Sequence, residues 1–249
     1  MTECTREIPG TLFYFVMLLN QNLKLAKANK YGITQFGLEL LPHTLGGINI
    51  CKFSSLSCRT SCISGAGYGN MPATQVKRKY RTELFHKDNV EFIRLLIAEI
   101  TYLSSKHKTI HIRLNCFSDI EWEKIKLEKK NIFEHLEHLS NVVLYDYTKN
   151  PKRYNLKIPN YHVVYSGQAD TEHIWKKVLE NGGQVALVFT KVPQIYKGWI
   201  VVNGDDSDNL WQWRNQSVII GLKYKNVIIK GKTNKELLVG SKLLINEQS

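Results

Sequence analysis

A chain of 249 residues can bury a large core, so a single α/β domain accounts for its length without disulfide staples. Hydrophobic residues make up 43% of the chain and charged residues 22%, which excludes a wholly disordered protein. The net charge of +12, from 34 Lys and Arg against 22 Asp and Glu, favours anionic partners such as nucleic acid or nucleotides. A generally lysine-rich composition would give the same charge without any such partner.

The cysteine content points to a reducing compartment. Five cysteines are an odd number in a chain too large to need a disulfide framework, which favours metal or thiol chemistry and a cytoplasmic location. The apolar run Thr11–Leu19 is shorter than the roughly 20 residues of a membrane span, and it lacks the basic lead and cleavage site of a signal peptide. We therefore expect a buried strand or docking segment there and no membrane association.

The hydrophobic pattern predicts the following elements in chain order. They are a strand at 33–40, a basic helix at 73–85, a helix at 89–105 capped by Asp88, a strand at 109–115, a helix at 120–138, strands at 141–147 and 161–165, a helix at 171–180, and strands at 184–189, 199–202 and 217–222. Residues 223–232 are predicted as a basic strand or loop.

Alternating strands and helices predict a parallel sheet, either open or closed as a (β/α) barrel. We expect a single α/β domain over residues 1–249, built as a partial or irregular TIM-like barrel with a cysteine loop after its first strand. Residues 1–30 would be an N-terminal extension, 31–190 the βα-repeating core, and 191–249 an irregular β-rich part.

Three of the five cysteines, Cys51, Cys58 and Cys62, follow the first predicted strand with C-x6-C-x3-C spacing. Thiolates are soft donors, and short spacers let all three reach one metal, so this loop is the predicted metal site. An iron–sulfur cluster, zinc or no metal at all remain open from the residues alone. A zinc site would need a fourth ligand, for which His43, Cys4 and Cys116 are candidates.

Polar residues follow four successive predicted strands, as they would around a pocket at the carboxyl ends of a parallel barrel. We predict that Asn115, Asp119, Lys149 and Ser166 hold a cofactor or substrate, although Asp119 is equally suited to cap a helix. Glycines of the loop after the cysteines can present backbone N–H groups to a phosphate or carboxylate, or merely let the chain turn tightly. These glycines are Gly65, Gly67 and Gly69.

Two other groups of residues leave alternatives open. Asp205, Asp206 and Asp208 either bind a divalent cation or form a polar hairpin turn, and the nearby Trp199, Trp211 and Trp213 either pack in the core or stack on bases. A second hypothesis is a nucleic-acid-binding accessory protein with structural zinc or no metal. In it, the basic helix with Lys77, Arg78, Lys79 and Arg81 would contact phosphates.

Ordered motifs spread over residues 30 to 230 resemble a widespread family of phage and plasmid proteins of unknown function. The motifs are Cys51-x-Phe53-x-Ser55-x2-Cys58-x3-Cys62, Gly67-x-Gly69, Arg81-Thr82-x2-Phe85, Ser118-Asp119-Ile120-x-Trp122, Tyr145-Asp146-Tyr147-Thr148-Lys149, Asn203-Gly204-Asp205-x2-Asp208 and Val218-Ile219-Ile220-Gly221-Leu222-Lys223.

That family looks distantly like radical S-adenosylmethionine enzymes, in which a partial (β/α) barrel carries a three-cysteine loop after strand one. This resemblance implies an iron–sulfur cluster at the three cysteines, S-adenosylmethionine at its open iron, and a place in the host cytoplasm if the protein is phage-encoded. The sequence contains no Walker loop, Rossmann fingerprint or Ser/His/Asp nucleophile motif.

Overall fold

A computed structural model describes residues 17–65, 67–206 and 208–225, together with three short strands at 228–229, 232–233 and 244–245. Its strands are β1 (Leu19–Asn20), β2 (Thr34–Leu38), β3 (Ile110–Arg113), β4 (Lys126–Leu127), β5 (Lys130–Asn131), β6 (Val142–Thr148), β7 (Tyr161–Ser166), β8 (Val185–Phe189), β9 (Ile195–Tyr196), β10 (Trp199–Asn203), β11 (Ile219–Lys223), β12 (Ile228–Ile229), β13 (Lys232–Thr233) and β14 (Leu244–Ile245). Its α-helices are α1 (Leu23–Ala26), α2 (Leu56–Thr60), α3 (Pro72–Lys87), α4 (Asn89–Lys106), α5 (Ile132–Leu136) and α6 (Glu172–Glu180).

The predicted parallel α/β sheet is confirmed. Strands pair in the order β1-β2-β3-β6-β7-β8-β11-β10-β9, and every pair from β2 to β10 is parallel, while β1 and β9 are antiparallel at the two ends. β14 pairs in parallel with the C-terminal end of β8. The predicted strand 223–232 lies partly outside the described residues, as does most of the run Thr11–Leu19.

The predicted barrel closure is not observed, because no backbone pairing joins the two ends of this sheet in the described part of the chain. The ends are nevertheless brought together by side chains. Lys27, beside β2, donates to the carbonyl of Asp205 at 2.7 Å, and Gln35 of β2 donates to that of Asp208 at 3.0 Å, although five strands separate β2 from β10 in the sheet. The sheet is therefore strongly curved, and the segment after β10 lies across its concave face.

Alternation along the strands separates two apolar layers. The convex face packs against α4, α5 and α6, and includes Ile112, Leu144 and Leu187. The concave face carries Tyr145, Val164, Ala186 and Ile220, which pack around Leu210 of the segment after β10. That segment thus fills the hollow of the curved sheet.

The predicted helix at 120–138 is wrong. A 3₁₀ turn at Trp122–Lys124 and the hairpin β4–β5 precede the short helix α5, and Glu128 and Lys129 both adopt positive φ in the hairpin turn. Asn131 then starts α5 with a capping box to Glu134. The predicted helices α3, α4 and α6 are confirmed with shifted ends, and Asp88 caps α4 by accepting from the Glu91 N–H at 3.0 Å.

The acidic segment is not a hairpin turn. β10 and β11 are parallel, so residues 204–218 form a crossover connection instead of a tight turn. None of the helices in the described ranges combines the length and apolar character of a membrane span.

Candidate functional site

The cysteine loop begins directly beyond β2 and leans on the loop that follows β3. The Cys51 sulfur accepts from the His43 backbone N–H at 3.3 Å, and its thiol donates to the Phe117 carbonyl at 3.3 Å. Because β2 and β3 are parallel neighbours, both loops leave the same carboxyl edge of the sheet. Cys51 is therefore fixed at the edge where the polar strand ends were predicted.

Cys58 lies in the one-turn helix α2, which Ser55 caps by accepting from the Cys58 N–H at 3.1 Å, and Cys62 follows just after this helix. The pKa of Cys51 is raised to about 12, mainly by burial and in smaller part by Cys62, Cys58 and Asp119, while the hydrogen bond from the His43 N–H opposes the rise. Burial also raises the pKa of Cys58, against the opposing effect of Lys149. The three thiols thus share one electrostatic neighbourhood with Asp119 and Lys149.

The thiols are not arranged as a formed metal centre: in the ranges that the structure describes, no group of three His, Cys, Asp or Glu side chains is placed to hold a metal ion. Cys116 is buried beside Arg113 and forms a 3.8 Å contact with the Arg113 carbonyl, so it belongs to the interior of the sheet. The ring of His43 contacts Thr44 at 3.3 Å. Cys4, the third candidate for a fourth ligand, lies outside the described residues.

Asn115 is a hub for the loop after β3. Its side-chain oxygen accepts from the Ser118 hydroxyl, the Ile120 N–H and the Trp122 ring N–H, at 2.7, 3.0 and 3.2 Å. Its amide nitrogen donates to the Ile120 carbonyl and to Asp146, at 3.0 and 2.9 Å. These bonds occupy the buried side chain of Asn115, which thereby positions the loop after β3.

Asp119 joins the loops after β3 and β6. Its carboxylate accepts from the Thr148 hydroxyl at 2.7 Å and from the Lys149 N–H at 2.9 Å, and Arg153 lies 3.3 Å away. Burial raises the pKa of Asp119, while these partners oppose the rise. Asp119 therefore caps the end of a strand, not the N-terminus of a helix.

Lys149 and Ser166 are in direct contact. The Lys149 ammonium donates to the Ser166 carbonyl at 3.1 Å and lies 3.3 Å from the Ser166 hydroxyl. Burial lowers the pKa of Lys149, and the neighbouring Cys58, Asp119 and Asp170 oppose this. Beyond β7, the Gln168 amide donates to the Ser57 hydroxyl at 3.0 Å, which ties the cysteine loop to this strand end.

The structure thus brings Cys51, Cys58, Cys62, Asp119, Lys149 and Ser166 together at one edge. Arg153 was missed by the sequence reasoning. Its buried guanidinium pairs with Asp119 and Glu123 and donates to the Tyr161 hydroxyl at 2.8 Å. No motif marks Arg153, because its partners come from two other segments of the chain.

The glycine loop contains a close backbone approach at Gly69. Gly65 and Gly67 lie in two successive 3₁₀ turns before α3. A Cβ atom at Gly69 would collide with the carbonyl oxygen of Ser64, and the Gly69 carbonyl accepts from Gln75 at 2.5 Å. Close backbone approach therefore requires glycine at position 69.

The basic helix α3 is basic on only part of its surface. Arg78 is buried and forms a salt bridge to Glu39 at 2.8 Å, and Arg81 donates to the Met17 carbonyl at 3.0 Å. Lys77 and Lys79 are exposed. Two of the four cations predicted to contact phosphates thus stabilise the interior.

Asp208 is fully buried and already occupied. Its carboxylate pairs with Lys24 at 3.0 Å and Arg113 at 3.2 Å, and it accepts from the Tyr145 and Tyr147 hydroxyls at 3.1 Å each. Burial alone would raise the pKa of Asp208, but the two cations and the Tyr145 hydroxyl hold it at about 2. The carboxylate closes the concave face and is not free to bind a metal ion.

The fold and this edge define an α/β protein with an open, mostly parallel sheet and a three-cysteine loop at its carboxyl end. The family model described as "Gene product 88" matches residues 17–235, and the chain belongs to this phage-type family of unknown function. No curated protein and no solved structure matches the sequence.

Proposed function

We propose that this chain binds an iron–sulfur cluster through Cys51, Cys58 and Cys62, and that Asp119, Lys149 and Ser166 hold a polar cofactor or substrate beside it. The observation that supports the proposal most is the grouping of the three thiols with Lys149 and Asp119 at the carboxyl edge of the sheet. In parallel α/β sheets and barrels this edge is where ligands and reactions are found.

The donor set fits such a group in number and in chemistry. Cys51, Cys58 and Cys62 would hold the cluster through their thiolates, and the cluster would supply one-electron chemistry to a bound cofactor such as S-adenosylmethionine. Since the thiols are not arranged around a common centre, binding requires rearrangement of the half-exposed loop.

Lys149 is the residue best placed to support the thiolates. Its positive charge counteracts the burial that keeps Cys58 protonated, and its ammonium is held by Ser166. Asp119 accepts from the Lys149 backbone N–H, and Arg153 holds Asp119. This chain of contacts fixes a cation beside the cysteine loop, where it also suits an anionic group of a cofactor or substrate.

Zinc is the alternative metal, and it would need a fourth donor. The Cys116 thiol contacts the Arg113 carbonyl and the His43 ring contacts the Thr44 hydroxyl, and neither joins the loop thiols in a metal-binding group within the described ranges. The alternative of phosphate binding by α3 loses support because Arg78 and Arg81 are engaged internally.

The test is anaerobic reconstitution of purified protein with iron and sulfide, followed by visible absorption and EPR spectroscopy. We expect a cluster spectrum from the wild type and its loss in Cys51→Ala, Cys58→Ala and Cys62→Ala. Cys116→Ala is the matched control, because the Cys116 thiol is buried next to Arg113 in the interior of the sheet, and it should retain the spectrum. A spectrum that survives all three loop substitutions would contradict the proposal.

A further inference from the structure

A cavity of about 350 Å³ opens at the end of the sheet opposite to the cysteine loop. His162, near the start of β7, and Gln184, just before β8, line it. Ser166, which contacts Lys149, ends β7, and at roughly 3.3 Å per residue the two ends of this strand lie about 17 Å apart. The cavity is therefore separate from the candidate site.

One buried polar group in the cavity wall has no partner. Gln184 is 2% exposed, and its side-chain oxygen lies 2.5 Å from Nε2 of His162. Its amide nitrogen, in contrast, makes no hydrogen bond to any described residue. A buried donor without an acceptor costs free energy, so a ligand that supplies an acceptor there would bind favourably.

The rest of the wall combines aromatic and cationic groups. The Arg214 guanidinium stacks on the Trp211 ring at 4.0 Å, and the His162 ring meets the same indole edge-on at 6.4 Å. Lys157 adds a second cation, and none of the residues that line the cavity is Asp or Glu. Such a wall suits a ligand with a flat polar ring and a negative charge.

We propose that this cavity binds a nucleotide, with its base against Trp211 and the Gln184 amide and its phosphate near Arg214 and Lys157. The volume lies at the lower end of the range of small-molecule sites. The net charge of +12 draws anionic ligands to the protein in general. The nucleotide unit has two sources, a free mononucleotide or one residue of a single-stranded nucleic acid.

The experiment is isothermal titration calorimetry of the full chain with AMP, GMP, CMP and UMP, with inorganic phosphate, and with a single-stranded oligonucleotide. We expect at least one mononucleotide or the oligonucleotide to bind with a Kd below about 1 mM, and phosphate alone to bind at least about tenfold more weakly. Binding of the mononucleotide identifies a free nucleotide as the ligand, whereas binding of the oligonucleotide alone identifies a single strand.

Arg214→Ala and Lys157→Ala remove the two exposed cations and should each weaken binding about tenfold. Lys191→Ala is the matched control, because this exposed lysine follows β8 at the other end of the sheet. This variant should bind the nucleotide with unchanged affinity. The proposal is overturned if none of the four mononucleotides and no oligonucleotide binds, or if inorganic phosphate binds as tightly as they do. It is also overturned if Arg214→Ala and Lys157→Ala both bind as tightly as Lys191→Ala. Cys51→Ala should leave this binding intact, so its outcome is independent of the proposed cluster.

Discussion

Replacement of Asp208 by Asn tests whether the buried carboxylate closes the concave face of the sheet. The substitution keeps the shape of the side chain but leaves the cations of Lys24 and Arg113 without their shared anion. Removal of one partner from a buried ion pair costs about 3–5 kcal/mol. We expect a loss of that size in the free energy of unfolding at pH 7.

The pH dependence of unfolding gives a second value for the stability that the Asp208 carboxylate contributes. The carboxyl pKa falls from 3.8 to about 2 on folding, which corresponds to roughly 2 kcal/mol of stability. Because the folded-state pKa is the lower one, this stability is present above about pH 4 and is lost as the pH falls toward 2. Asp208→Asn should therefore lose less stability than the wild type between pH 4 and pH 2.

The assay is urea denaturation followed by tryptophan fluorescence at pH 7 and at several acidic pH values. Asp206→Asn is the matched control, since Asp206 is exposed and its carboxylate accepts from Asn203 at the surface. The control should change stability by less than about 0.5 kcal/mol. A cost below about 1 kcal/mol for Asp208→Asn would refute the role assigned to this carboxylate.

Three further outcomes are expected. Burial raises the pKa of Glu99, which accepts from the Leu18 and Leu19 N–H groups, to about 7, so wild-type stability should fall as the pH rises from about 4.5 to 7. Urea denaturation of Glu99→Gln at pH 5 and pH 8 should show a smaller fall in stability than the wild type, and an equal fall would contradict this role of Glu99. Arg78→Met leaves Glu39 buried without its cation and should lower the free energy of unfolding, measured by urea denaturation, by about 3–5 kcal/mol. Lys77→Ala, at an exposed position of the same helix, should lower it by less than about 0.5 kcal/mol, and equal losses would show that Arg78 is not an internal residue. Gly69→Ala should cost about 1–3 kcal/mol by thermal denaturation, because the added Cβ meets the Ser64 carbonyl, and an unchanged Tm would rule out that close approach.

The parallel sheet was predictable because its strands carry short apolar runs separated by regular helical segments. Strand β8, Val185–Phe189, and the amphipathic helix α6 before it illustrate this pattern. The same reasoning failed over residues 120–138, where apolar residues recur but a hairpin interrupts them. The Asn131 to Glu134 capping box was the available sign of a later helix start.

The candidate site was predictable to the extent that it depends on strand order. Asp119, Lys149 and Ser166 meet because β3, β6 and β7 are parallel neighbours. The role of Asp208 was not predictable, since its partners Lys24, Arg113 and Tyr145 are distant in sequence and its local motif resembles a turn. The inward direction of Arg78 likewise depends on Glu39, a residue that directly follows β2 and is distant in sequence.

The central claim is that the three cysteines of the loop hold an iron–sulfur cluster. Its most direct test is the iron and acid-labile sulfide content of protein purified without oxygen, compared with the Cys51→Ala/Cys58→Ala/Cys62→Ala triple variant. We predict about four iron and four sulfide per wild-type chain and almost none in the folded variant. Wild-type protein that takes up no more iron and sulfide than the triple variant, after reconstitution, would contradict the claim.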